Sequence, residues 1–440
     1  MRITVVVLGG ALCVCPLMAQ WTLKDVVRRA GEKYAGVQVS FEQASAAAAA
    51  VQQARAAFLP RGDFYAQVNR ATRNNVFGML LPNPVIPSIS GPPQTANAGT
   101  SVWGSATGFL VQWEPFDLGQ RGAKVASSDA ARQHAERTYA RTRFEVEAAA
   151  ADAYLTVLAS DQTVNGGKAA VERARSLYAM AAAQAGAGLR PEADASRAKA
   201  ELAAAEAQLI LAEQAARTAR IGVTQLTGDR WDAVKLQSKL AEKDPAPAPA
   251  TGGAHPAVRE QEEAVLEAAS RRHEADIAWR PRFNTQTALY ARGTGEAAQI
   301  GPHFYNWGIG FSVLFPFLDL PSIRAQQQVE KHKVLAEEAR LKQVSADLDA
   351  QLERARAALD AARRIAATTP VQLEAASAAH AQARARYQSG LAAIVEVADA
   401  QRLLSQAEVD QSLARLNVWR AQLAIAVAAG DLEPFLEAAR

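Results

Sequence analysis

Cysteine is nearly absent from this 440-residue chain: there are two, Cys13 and Cys15, and both lie within the first 15 residues. A mature chain without that segment holds no thiol, so no disulfide framework and no cysteine-based metal site organises it. A dominant charge is missing as well. Lys and Arg number 48 against 45 Asp and Glu, a net of +3, which leaves no polyanion-binding footprint and no expected nucleic-acid partner. Beyond the first 20 residues there is no uncharged apolar run of the roughly 18 residues a transmembrane helix needs. If a membrane is crossed, strands must cross it. His134, His255, His273, His303, His332 and His380 show no pairing at metal-ligand spacing and read as surface or packing residues. No phosphate-cradling glycine loop, nucleophile elbow or zinc motif occurs, so neither a cofactor nor catalysis is expected.

What the chain has in abundance is alanine, in runs such as Ala46 to Ala50 and Ala148 to Ala151. Alanine loses no side-chain entropy in a helix and lets backbones approach closely, which favours long, tightly packed helices. The first residues are a separate object. Arg2 is followed by an apolar run from Ile3 to Cys15, then Pro16 and a Leu17-Met18-Ala19 end, the layout of a secretory signal peptide over 1–19. Cys15 also stands in range of a lipidation signal, although Val14 is bulkier than the small residue such signals place before the cysteine.

The second half of the chain rewrites the first. Gly188-Leu189 recurs as Gly390-Leu391 and Gly228-Asp229 as Gly430-Asp431, both 202 residues apart. Between those marks Leu202, Ala205, Leu209, Ala212, Ala216, Ala219, Val223 and Leu226 step by threes and fours, the a/d spacing of packed helices. Their counterparts Leu404, Ala407, Gln411, Ala414, Val418, Ala421, Ile425 and Ala428 keep the register with one polar exception. Upstream, Phe58-Leu59-Pro60-Arg61 answers Trp279-Arg280-Pro281-Arg282, and Val37 answers Val258, at a spacing of 221. The chain is a tandem duplication. Its parts are a first repeat over 20–243, a Pro/Ala-rich linker over 244–256, a second repeat over 257–430 and a tail over 431–440.

Each repeat opens with an amphipathic helix, near 36–58 and 256–279, that stops at a proline. Strand-like segments follow near 61–73 and 101–114, and again over 283–290 and 305–315. The last is the clearest: Tyr305, Trp307, Ile309, Phe311, Val313 and Phe315 occupy one face, with Asn306, Gly308, Gly310 and Ser312 on the other. Apolar and aromatic residues outside with small polar groups inside is the pattern of a transmembrane strand. Trp103, Trp113 and Trp307 suit an aromatic girdle or core packing equally. The strands of the first repeat are joined by a proline-rich surface loop over 74–100, those of the second by a short turn around Gly293, Gly295 and Gly301. After the strands, helices are expected over 118–185 and 322–388, about 100 Å each at 1.5 Å per residue. Gly166-Gly167 and Thr368-Thr369-Pro370 are expected to interrupt them at one aligned place, as a bend or loosened turn. Return helices close each hairpin, near 191–226 and 392–429.

Four strands cannot close a barrel, and unpaired edges are not tolerated in lipid, so several chains must share one. The fold class expected is mainly α with a small transmembrane β part, in which long helices continue a barrel as a tube. This layout resembles the TolC family of outer-membrane efflux proteins over essentially the whole mature chain, most specifically in Tyr387-Gln388-Ser389-Gly390 followed by Ile394-Val395-Glu396-Val397-Ala398-Asp399-Ala400. The resemblance implies a homotrimer with a 12-stranded β-barrel and a periplasmic α-helical barrel. It implies an outer-membrane location with a large periplasmic portion, docking to a periplasmic adaptor and an inner-membrane pump, and no catalysis. The function implied is a passive conduit of a tripartite efflux or type I secretion system.

Glu396 and Asp399 share a helix face and flank the seam residues Val397 and Ala400. By resemblance they are the carboxylates of a ring at the closed periplasmic entrance, attracting cations and repelling anions. Asp194, aligned with Glu396, and Tyr387 are candidates for a latch on the tips. The family's arginine two residues after the tip glycine is Ala392 here, which leaves Arg190 and Arg197 as alternative substitutes. The tips at Gly188-Leu189-Arg190 and Gly390-Leu391 are the expected adaptor contacts, though glycine is also what any such helix turn requires. A periplasmic adaptor is the competing reading, but one would carry a single hairpin between β modules; an envelope coiled-coil protein is a third.

Overall fold

Alanine-rich helices dominate the computed structural model of the chain, which describes residues 20–72, 99–229, 235–236, 240, 254–295, 301 and 304–439. The signal peptide over 1–19, nearly all of the proline-rich loop and most of the linker lie outside the described residues. The elements run β1 (Gln20–Trp21), α1 (Leu23–Lys33), α2 (Ala35–Ala56), β2 (Arg61–Thr72), β3 (Ser101–Phe116), α3 (Gln120–Gly186), α4 (Glu192–Thr227), β4 (Lys235–Leu236), α5 (Pro256–Asp276), β5 (Arg282–Gly295), β6 (Phe304–Leu314), α6 (Leu320–Gln388), α7 (Ile394–Ala429) and α8 (Glu433–Ala438). The molecule is thus mostly helical with a few antiparallel strands. None of the described helices is long and apolar enough to cross a membrane.

The chain divides into two compact units. One comprises Phe41–Thr138 and Arg259–Gln343 and contains a sheet of order β2-β3-β5-β6, antiparallel throughout. The alternation read from sequence sets its two faces. On one, Tyr305 (87% exposed), Trp307 (75%) and Phe311 (76%) join Phe64, Phe109 and Leu289. Phe64 and Phe109 are register partners with ring centroids 5.0 Å apart. The other face gathers Gln286, Ala288 and Tyr290 with Leu110, all buried. β2 and β6 are the edges, with no described strand beyond them.

The second unit comprises Met1–Ser40, Tyr139–Val258 and Val344–Arg440. Its main core sets Val26, Ala30, Tyr154, Leu155, Leu416 and Trp419 together. The tail contributes to it: α8 buries Phe435, whose ring meets Trp419 edge-on at 6.0 Å. Thr22 and Asp25 close a capping box on α1. The duplicated Gly-Asp marks end α4 and α7 with glycine in the left-handed region, Gly228 at φ 71° and Gly430 at φ 78°. The aspartates then diverge. Asp229 accepts from Arg29 and Lys33 of α1, whereas the Asp431 carboxylate accepts from Glu433 N–H at the start of α8.

The expected interruptions of the long helices are not breaks. α3 and α6 run unbroken through the places where breaks were expected, and Pro370 lies inside α6. Gly166 and Gly167 are close-packing positions: a Cβ on Gly166 would stand 2.8 Å from Val409 Cγ2, and one on Gly167 3.3 Å from Leu209 Cδ1. At Pro370 the carbonyl of Ala366 loses its usual N–H partner, and the buried Thr369 hydroxyl donates to it at 3.3 Å. Neither residue pattern is therefore a helix stop. The histidines are also more engaged than expected. His134 Nδ1 lies 2.6 Å from Glu267 Oε2, which raises the His134 pKa. His255 accepts the Ala257 N–H at Nδ1 and donates from Nε2 to the Val427 carbonyl, joining the start of α5 to the end of α7.

Candidate functional site

The two hairpin tips are built alike. At the first, Gly188 takes φ 71° and Leu189 N–H returns to the Gln184 carbonyl at 2.9 Å. At the second, Gly390 takes φ 80° and Leu391 N–H returns to the Arg386 carbonyl at 2.8 Å. Both are Schellman closures, in which glycine accepts the left-handed conformation without a Cβ penalty. The residue after each glycine is thrust into solvent, Leu189 at 75% exposure and Leu391 at 73%. Paired exposed leucines at two turns are the kind of feature a partner protein can cover.

Between the tips stands Tyr387, whose side chain is fully buried among Leu177, Ala181, Ala198, Ile394 and Val397. Its hydroxyl donates to Asp194 Oδ2 at a long 3.4 Å. Arg190 supplies the remaining polar contact: its guanidinium lies 4.7 Å over the Tyr387 ring, and Nη2 donates to the Tyr387 carbonyl at 2.8 Å and the Ala392 carbonyl at 3.5 Å. The Tyr387 carbonyl, which also accepts the Gly390 N–H, lies in the last turn of α6, where the helix dipole favours a cation, and the Ala392 carbonyl lies in the turn beyond it. Burial and the Asp194 carboxylate push the Tyr387 pKa up, with Arg190 opposing, so the phenol stays protonated as a donor. Of the two alternatives for the missing arginine, Arg190 occupies the network. Arg197 is exposed on α4 and among the described residues takes no ion pair.

Glu396 and Asp399 are both exposed on α7, on either side of the buried pair Val397 and Ala398. Neither carboxylate is bare. Glu396 lies 3.6 Å from Arg386 and Asp399 lies 3.4 Å from Arg402. Arg402 also reaches α4, where Glu201 accepts from it at 2.6 Å. Sequence reasoning singled out the acids and missed these arginines. A signal was available: Arg402 is three residues after Asp399 on one helix, a spacing that pairs opposite charges. Arg386 carries no such signal, because only the turn at Gly390 folds it back toward Glu396. Among the described residues no group of His, Cys, Asp and Glu could hold a metal ion.

At the strand face, Tyr305, Trp307, Ile309, Phe311, Val313 and Phe315 are all exposed. Trp113 joins that outward set while its Nε1 donates to the Phe58 carbonyl, and Trp103 lies under the Arg70 guanidinium at 5.5 Å. These are the amphipathic contacts expected of rings that have one apolar and one polar neighbour.

Residues 37–229 and 253–431 match the model of the family described as outer membrane efflux protein. No curated protein sequence matches the chain. Among solved structures, the outer-membrane channel OprN is 20% identical, covering 93% of this chain and 89% of its own, with a TM-score of 0.73. The CmeC outer membrane channel of Campylobacter jejuni is 17% identical over 93% of this chain and 85% of its own, with a TM-score of 0.79. The Neisseria gonorrhoeae MtrE outer membrane channel, solved in its open state, is 16% identical over 93% and 89%, with a TM-score of 0.70.

Proposed function

The chain belongs to the outer membrane efflux protein family, and on that premise we propose that three copies assemble into one passive conduit from the periplasm to the exterior. Four strands from each of three chains would close a 12-stranded barrel in the outer membrane. The observation that carries this reading is the β6 face: a row of exposed aromatic and branched side chains on a sheet whose two edges have no partner strand within the described chain. In lipid such a face is stable and such edges are not, so the sheet calls for both a membrane and neighbours. Ile210, Leu211 and Ile221 of α4 and Val371 of α6 are likewise exposed in the single chain, which suits burial against other copies.

The tips would form the periplasmic entrance, with Glu396 and Asp399 at its constriction and the Arg190, Tyr387 and Asp194 cluster as the latch that holds it shut. Leu189 and Leu391 would be covered by a periplasmic adaptor that joins the conduit to an inner-membrane pump. Reconstitution into planar bilayers tests the assembly. The expected result is discrete conductance steps from a species that migrates as a trimer until heated; a monodisperse monomer recovered without detergent would overturn it.

A further inference from the structure

The charge around the tip turns bears on what the conduit carries. Residues 186–201 and 384–402, the two turns with the helix ends beside them, hold six basic and five acidic side chains. That balance is not the acidic funnel expected from Glu396 and Asp399 alone. The structure also places the bases where they count. Arg386 lies 3.6 Å from Glu396, and Arg402 lies between Asp399 and Glu201. All of these side chains are at least partly exposed, so the pairs add little to stability. Their effect on the local field is another matter. An ion passing at several ångströms meets opposite charges separated by far less than the Debye length of about 8 Å at physiological salt. Glu396 with Arg386 then acts as a near-neutral dipole, while Arg402, shared by Asp399 and Glu201, leaves one negative charge that the excess of basic side chains on the two turns offsets.

We propose that the entrance is charge-compensated: Arg386 and Arg402, together with the other basic side chains of the turns, offset Glu396, Asp399 and Glu201, so that the conduit admits anionic small molecules, such as organic carboxylates, as readily as cations. This rests on the reading of the helix tips as the entrance of a conduit. The chemistry needs no anion-binding site, only the absence of a net negative ring, since a ring of one sign is what excludes ions of that sign.

Reversal potentials of the reconstituted full-length protein in a potassium chloride gradient test this. For the wild type the potassium to chloride permeability ratio is expected within about twofold of unity, and Arg386→Gln/Arg402→Gln is expected to shift it toward potassium by about fivefold or more. Arg386→Lys/Arg402→Lys should restore the wild-type ratio, which a merely structural role of the guanidinium would not do. Glu396→Gln/Asp399→Asn should move the ratio the other way, toward chloride. A wild type that favours potassium by more than about tenfold, or a ratio unmoved by removing both arginines, would overturn the inference while leaving the conduit intact. A protein that conducts no ions under any condition would overturn the conduit reading, and this inference with it.

Discussion

The outgoing helix of the first copy, α3, and the return helix of the second, α7, carry most of the buried apolar side chains of the hairpins, among them Tyr154, Leu155, Leu416 and Trp419. Their counterparts α6 and α4 are mostly exposed. The contrast is sharpest between α4 and α7, which have the same length and aligned seams: α7 buries 15 residues along its 36 and α4 only four. Duplication copied the spacing of the seam, and packing then assigned the two copies opposite places. Where the copies differ at aligned positions, the difference follows the place. Trp419 in the core answers Arg217 on the surface, and Leu423 in the core answers Ile221, which stays exposed.

That inequality can be broken most directly at Trp419. Trp419→Ala removes a fully buried ring and its edge contact with Phe435, and unfolding free energy is expected to fall by about 3–5 kcal/mol, whereas Arg217→Ala should stay within about 0.5 kcal/mol of wild type. Denaturant titration followed by tryptophan-independent helical circular dichroism compares the two. Next comes the aligned pair of supposed helix breakers. Gly166→Ala drives a methyl group to 2.8 Å from Val409, and overpacking of that kind costs about 1–3 kcal/mol. Thr368→Ala, at the matching place in α6, loses only an exposed hydroxyl contact to Ile365 and should stay within about 0.5 kcal/mol of wild type in the same titration.

At the tips the copies are joined rather than parallel, since Arg190 of the first holds the second at Tyr387, and Ala392 stands where a second arginine would. Tyr387→Phe deletes one long hydrogen bond, worth about 0.5–1.5 kcal/mol, and is expected to raise conductance at neutral pH without altering the melting temperature of the core. Unchanged single-channel conductance would remove the latch. The smallest effect concerns the starts of the copies, where His255 stands in the second and Tyr34 in the first. Burial holds the His255 imidazole below its ordinary value of 6.5, with the bond to the Val427 carbonyl opposing and Arg141 and Glu145 acting in opposite senses. Between that lowered value and 6.5 the folded chain therefore keeps His255 neutral while the unfolded chain protonates it. Its stabilisation is complete above about pH 6.5 and declines as pH falls through the folded value. His255→Gln should flatten that acid limb of a melting curve; an identical pH profile would show that other groups set it.

Much of this was legible in the sequence because periodicity survives without tertiary context. The β6 face and the glycine tips follow from alternation over one strand and from the single residue that tolerates a left-handed turn. What was not legible depends on what the segment packs against. Gly166-Gly167 reads as a weak point in any isolated helix, and only the presence of Val409 and Leu209 turns it into a close approach. Pro370 reads as a stop until the Thr369 hydroxyl is seen to serve the carbonyl that proline abandons. At the tips, the acids were visible from family resemblance, while Arg386 could be assigned to Glu396 only once the turn at Gly390 had brought α6 and α7 side by side.

The sheet order leaves β2 on one rim and β6 on the other, and strand directions alternate across it. If like rims of two chains standing the same way up in a bilayer met, β6 against β6, the new pair would be parallel and the alternation would end there. If unlike rims meet, β6 against the next β2, the new pair is antiparallel and each addition leaves the same two rims still open. Such a contact is head-to-tail, and it can stop only by coming full circle. Nothing in the chemistry of either rim counts subunits; the tilt and twist of the strands decide when the circle closes. A substitution that flattens the sheet would therefore change how many chains make a ring before it changed whether they pair.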